Sequence, residues 1–164
     1  MIKNVKWIFV VLIISSLISF SFVWKNTLTE GLTIGDKAPT FTICGEKQLI
    51  DLKDLRGKYV LLSFWASYDA LSRMQNATLN HAVAQADNVE MVSVSFDEYK
   101  SIFNETIKKD QISTSNCFVE LAGVSSDLYQ TYRLKRGFKN FLLDENGVIV
   151  AKDVTVSELS SYLN

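Results

Sequence analysis

The sequence has little of several things that commonly announce a function. Lysine plus arginine (17) nearly cancels aspartate plus glutamate (18), and no long run of either sign occurs. The basic footprint of a nucleic-acid binder is therefore missing, and no polynucleotide partner is expected. There is a single histidine, His81; without a second histidine or a cysteine near it, it reads as a surface residue and not as a metal ligand. No internal repeat and no low-complexity segment interrupts the 164 residues. One core of ordinary domain size is expected, with no metal and no cofactor.

Charge is absent altogether between Lys6 and Lys25. The stretch is mostly apolar, is bracketed by Trp7 and Trp24, and follows Lys3 and Lys6. Residues 1–26 thus read as a membrane segment, with residues 7–24 in the bilayer and tryptophan at each interface. Lysines ahead of the apolar run favour an N-terminus in the cytoplasm and send the rest outward. The competing reading is a cleaved signal peptide, for which Ser19-Phe20-Ser21 offers a small-x-small triplet. The run is longer than a typical signal core and no Ala-x-Ala follows. A connector at 27–34 and one domain at 35–164 complete the expected organisation.

Within that domain, Pro39 fixes an extended backbone ahead of Thr40–Cys44, and a turn at Gly45 leads to Gln48–Leu52, which predicts a small hairpin. Tyr59–Trp65 is a nearly continuous apolar run, as expected of a central parallel strand buried on both faces. From Ser67 to Asp87 the period lengthens. Leu71, Met74, Thr78 and Ala82 recur at three to four residues, predicting a helix of about five turns that Ser67 or Asp69 caps. Val89–Phe96 predicts a second buried strand, and Tyr99–Lys109 a helix with Ile102, Phe103 and Ile107 inward. A short apolar piece at Cys117–Leu121, a helix at Ser125–Tyr132, strands at Phe141–Leu143 and Val148–Lys152 around the turn Asp144–Gly147, and a closing helix marked by Val156, Leu159 and Leu163 follow. The order predicts an α/β sandwich, a mixed sheet with helices on both faces.

Four phrases carry a resemblance: Gly35-Asp36-Lys37-Ala38-Pro39-x-Phe41, Leu52-x-x-Leu55-x-Gly57-Lys58, Val60-Leu61-Leu62-x-Phe64-Trp65-Ala66-Ser67, and Asn140-Phe141-Leu142-Leu143-Asp144-x-x-Gly147-x-Ile149. From about Gly35 to the C-terminus the chain resembles envelope thioredoxin-like proteins. These form the TlpA/ResA-like branch of the alkyl hydroperoxide reductase and thiol-specific antioxidant superfamily. The resemblance implies a thioredoxin fold facing an extracytoplasmic space and, in active relatives, thiol-disulfide oxidoreductase activity.

The departures from that pattern bear on function. Where active relatives place Cys-x-x-Cys after an aromatic residue, this chain has Tyr68-Asp69-Ala70-Leu71-Ser72-Arg73, so Asp69 and Ser72 occupy the two cysteine positions. The family's cis-proline position falls on Phe138, where a trans bond is expected because a non-proline cis bond costs about 2.5–4 kcal/mol. Disulfide exchange needs a thiolate and a resolving thiol, and a carboxylate with a hydroxyl supplies neither. Asp69 reads as a helix cap that pairs with Arg73 one turn on. The same vestigial site also reads as a binding rim formed by Tyr68, Asp69, Arg73 and Phe138.

Cys44 and Cys117 are the two cysteines of the sequence. Two readings stay open: buried or disulfide-bonded structural cysteines, or a redox-active pair. No Pro-x-x-x-Thr-x-x-Cys peroxidase context is present, because the single proline, Pro39, lies far from any cysteine at a helix start. Arg133, Lys135, Arg136 and Lys139 form a modest basic cluster, read as a solvated rim, with the binding of an anionic partner as the alternative.

The expected function is a non-catalytic interaction or assembly module on the outer face of a bacterial inner membrane, single-pass, with an envelope protein or polypeptide segment as partner. The alternative is an oxidoreductase of the same superfamily that uses Cys44 and Cys117.

Overall fold

The computed structural model describes residues 28–45, 49–113 and 115–163. The membrane segment expected at residues 7–24 lies outside them. Among the described residues no helix is long and apolar enough to cross a membrane.

Strands β1 (Thr42–Cys44) and β2 (Leu49–Asp51) form the expected antiparallel hairpin. The main sheet contains β3 (Tyr59–Trp65), β4 (Val89–Ser95), β5 (Cys117–Val119), β6 (Asn140–Leu143) and β7 (Ile149–Lys152), in the spatial order β5-β4-β3-β6-β7. β3 is central, parallel to β4 and antiparallel to β6. That position explains its sequence: with neighbours on both edges and helices over both faces, every residue from Val60 to Trp65 is buried. Helices α1 (Ala70–Val83), α2 (Lys100–Lys109), α3 (Asp127–Thr131) and α4 (Val156–Leu163) complete a thioredoxin-like α/β fold.

The side-chain alternation of β3 feeds two cores. Val60, Leu62 and Phe64 join Phe96, Phe118, Tyr132 and Phe141 on one face, where Phe64 and Tyr132 have ring centroids 4.6 Å apart. Leu61 joins Leu79, Met91, Leu142 and Leu159 on the other. Side chains of this size contribute about 1.5–3 kcal/mol each on full burial. The Tyr132 hydroxyl also donates a 2.6 Å bond to the Pro39 carbonyl, fixing the segment that leads into the hairpin.

The orientation of α1 differs from the expected one. Its inward residues are Ser72, Asn76, Leu79 and Asn80, whereas Leu71 and Met74 are 63% and 60% exposed. Each of these polar side chains finds a partner, although Asn76 Nδ2 is buried without one among the described residues. The Ser72 hydroxyl donates to the Asp69 carbonyl at 3.3 Å, Asn76 Oδ1 accepts from Ser93 Oγ at 2.8 Å, and Asn80 Oδ1 accepts from the Ser113 amide at 2.9 Å. The helix is also shorter than its apolar pattern predicts, 14 residues. In α2 the buried residues are Phe103 and Thr106; Ile102, expected inward, is exposed and Ile107 is half-buried.

Two poles follow from the strand directions. Residues 35–38 bond to residues 147–149, with Gly35 N donating to Ile149 O at 2.9 Å and Ala38 N to Gly147 O at 3.0 Å. Ile149 pairs with Leu143, which pairs with Val60, so this contact sits at the N-terminal end of β3. Leu28 and Glu30 lie beside Arg56 and Gly147 at the same end. The loop 66–69 and Phe138 occupy the opposite pole, at roughly 20 Å for a seven-residue strand.

Candidate functional site

The site is built where β3 ends and α1 begins. Asp69 is the helix N-cap, with extended backbone angles, and its carboxylate accepts a 2.8 Å bond from the Ser72 amide. The carboxylate therefore occupies the positive end of the helix, where a negative group stabilises by about 0.3–1 kcal/mol. Ser72 is 5% exposed and its hydroxyl turns back to the Asp69 carbonyl. That hydroxyl bonds to a carbonyl and not to a base: the Asp69 carboxylate is taken by the Ser72 amide, and His81 sits in the last turn of α1, exposed, with Nε2 3.2 Å from the Asp110 carbonyl. Ser72 thus lacks the partner that would activate a hydroxyl nucleophile. Among the described residues there is no cluster of three or more potential metal ligands.

Arg73 does not pair with Asp69. Its guanidinium forms a bidentate ion pair with Asp110, Nε and Nη2 each 2.7 Å from a carboxylate oxygen. The fork geometry of guanidinium fits a carboxylate held across the gap between α1 and the end of α2 better than one on its own turn. The hydrogen bond from Arg73 holds the Asp110 carboxyl below its ordinary value. The Arg73 guanidinium is accordingly engaged at the end of α2.

Behind the cap lies a carboxylate that sequence reasoning missed. Asp97 is 2% exposed and accepts from the Ser67 amide at 3.0 Å, the Ser67 hydroxyl at 2.6 Å and the Ser95 hydroxyl at 2.6 Å. These bonds fix the loop that presents Tyr68 and Asp69. The available signal was an acid placed directly after a buried Val-rich strand.

Tyr68 and Phe138 are brought together as expected, with ring centroids 6.2 Å apart. Phe138 also stacks on Phe96 at 5.9 Å and meets Tyr129 edge-on at 6.3 Å. Phe138 is consequently half-buried in an aromatic cluster, and Tyr68 is its exposed edge. Among the described residues no peptide bond is cis, including that before Phe138. Of the basic cluster, Arg133 adopts a left-handed conformation (φ 54°), Lys135 and Arg136 are exposed ahead of Phe138, and Lys139 reaches Asp153 at 3.9 Å.

Cys44 and Cys117 are both free thiols and line one open cleft of about 1290 Å³ between the hairpin, α2 and β5. Cys44 is exposed. Cys117 lies against Ser93, Sγ to Oγ 3.6 Å, and burial pushes its thiol up to about 11. A thiol so raised is a poor nucleophile at neutral pH. Neither Asp69 nor Ser72 belongs to this cleft's lining.

Comparison with known proteins supports the thioredoxin-like fold. The family model described as "AhpC/TSA family" matches residues 34–152. The thiol-disulfide oxidoreductase ResA of Bacillus cereus is 26% identical over 140 residues, covering 82% of this chain and 79% of the relative. The thioredoxin-like protein YneN of Bacillus subtilis is 28% identical over 140 residues, covering 79% and 75%. Among solved structures, a thioredoxin-like protein from Parabacteroides distasonis superposes with a TM-score of 0.74 at 42% identity, covering 84% of this chain and 98% of that one.

Proposed function

This chain belongs to the AhpC/TSA family, among its TlpA/ResA-like thioredoxin-fold members, and from that premise we propose that it is a non-catalytic interaction or assembly module of the cell envelope. It is tethered through residues 7–24 to the inner membrane, with the domain on the extracytoplasmic side and an envelope polypeptide segment held at the rim of Tyr68, Asp69 and Phe138.

One observation carries the reading: the helix start where exchange chemistry needs a thiolate is filled by a carboxylate already engaged with the Ser72 amide. The sulfur-free pair cannot form or resolve a mixed disulfide. The tether rests on the charge-free run between Trp7 and Trp24 behind Lys3 and Lys6. A rim at the pole opposite Leu28 is compatible with it, since the connector leaves the domain at the other end.

The second reading, redox exchange by Cys44 and Cys117, is favoured by their shared cleft. Insulin reduction by the full-length chain in detergent separates the two. Turnover equal to that of a Cys44→Ser/Cys117→Ser double variant is expected; cysteine-dependent turnover would reverse the assignment. For the binding half, a photo-cross-linking residue at Tyr68 in native membranes is expected to give adducts that Phe138→Ala diminishes. The same residue at Glu145, at the other pole, should give none, and equal labelling at both would end the rim proposal.

A further inference from the structure

The outer face of α1 is an anomaly. A surface helix ordinarily turns charged residues to solvent. Here Ala70, Leu71, Met74 and Thr78 face outward, and Arg73, the helix's one Lys, Arg, Asp or Glu, is committed to Asp110. Leu71 and Met74 are one helical step apart on this face, and Tyr68, 66% exposed, stands in the loop just ahead of the cap. The buried face of the same helix is polar, so the apolar residues are not outside by default of a better place. Contiguous exposed apolar side chains of this kind mark contact surfaces.

Arg73 on this helix is neutralised by Asp110, and the charges next to Tyr68 are negative. Asp69 is adjacent to Tyr68 in the chain, and Asp97 bonds to Ser67, on its other side. Glu98, exposed, follows Asp97. The Tyr68 hydroxyl is held above its ordinary value, first by burial, then by Tyr129 in its ionised form and by the carboxylates of Asp97, Asp69 and Glu98. An exposed aromatic face with carboxylates next to it favours a cation, through cation–π and Coulomb attraction together. Lys135 and Arg136 precede Phe138 in the chain and are exposed.

We infer that Tyr68, Leu71 and Met74, with Asp69 and Glu98 beside them, seat an extended polypeptide segment in which a lysine or arginine is flanked by apolar side chains. The inference rests on the reading of this rim as a polypeptide-binding site and names its ligand class. The basic side chain lies over Tyr68 and the apolar ones follow the uncharged face of α1.

Fluorescence anisotropy on the full-length chain tests it, with three labelled nonapeptides of alternating leucine and a variable residue: lysine, glutamine or glutamate. The lysine peptide is expected to bind about tenfold more tightly than the glutamate peptide, with the gap narrowing in high salt. Tyr68→Ala and the Leu71→Ser/Met74→Ser pair should each weaken the lysine peptide about tenfold. These positions are exposed, so circular dichroism is expected to be unchanged. Asp69→Asn, which keeps a capping oxygen, and Glu98→Gln should each erase part of the lysine preference, whereas Glu145→Gln should not. Equal binding of all three peptides, still sensitive to Tyr68→Ala, would overturn the ligand class and leave the rim standing. Preference for the glutamate peptide would assign the site to Lys135 and Arg136 instead. Self-association abolished by Leu71→Ser would make a second copy the occupant and overturn the inference. No binding by any peptide, with no cross-linking from Tyr68, would remove both the inference and the rim.

Discussion

The Asp69 carboxylate accepts a 2.8 Å hydrogen bond from the Ser72 amide, so the two positions that the family resemblance aligns with a thiol pair are joined by a helix cap. Removing the cap by Asp69→Ala should cost about 1 kcal/mol of stability, and Asp69→Asn only a few tenths. Urea denaturation of the pair measures it. Equal midpoints for Asp69→Ala and the unmodified chain would show that the cap contributes nothing.

The inverted helix makes a paired forecast. Leu79 is 2% exposed between α1 and the sheet, and Leu79→Ala should cost about 2–5 kcal/mol through lost burial and a cavity. Leu71→Ser, on the outer face, should stay within about 0.5 kcal/mol of the parent. Thermal unfolding of both variants checks the orientation of α1, and a larger loss from Leu71→Ser would contradict it.

The Arg73–Asp110 pair is shielded, with side-chain exposures of 26% and 17%, so it should contribute more than a free surface pair, on the order of 1 kcal/mol. Because the folded state holds the Asp110 carboxyl below its unfolded value, the folded chain binds that proton less readily than the unfolded chain. The contribution is therefore complete above the ordinary value of 3.8 and disappears as the pH falls through the lower folded value. Denaturation of Asp110→Asn against the parent should show a stability gap at pH near neutrality that closes in acid. A gap independent of pH would exclude the ion pair as its source.

The two cysteines should react differently. Exposed Cys44 should take up iodoacetamide in the native state near pH 7.5, while Cys117, buried and with its thiol raised to about 11, should react only after denaturation. Mass spectrometry is expected to count one adduct before urea and two after. Two rapid native adducts would show that the cleft admits reagent to β5.

Much of the architecture was legible without coordinates because it depends on local pattern. The unbroken apolar run Tyr59–Trp65 is what a strand with two neighbours and two covered faces requires, and β3 has those boundaries. The start of α1 was legible for the same reason, since an aspartate before a helical segment has a mechanism as N-cap. The inward face of that helix was not legible. Periodicity ranks positions by apolarity, and here Leu71 and Met74 outrank Ser72, Asn76 and Asn80 that the fold buries.

The sequence alone therefore determined the element order, the strand that runs through the centre and the absence of sulfur at positions 69 and 72. Tertiary structure decided which partners the polar groups meet. Ser93 and Ser113 make room for asparagines under α1, Asp110 takes Arg73 from 37 residues away, and Asp97 fixes the loop before the cap. Such choices depend on contacts between distant segments. The free energy of a buried polar side chain is set by the partner it finds, and chain spacing does not reveal that partner.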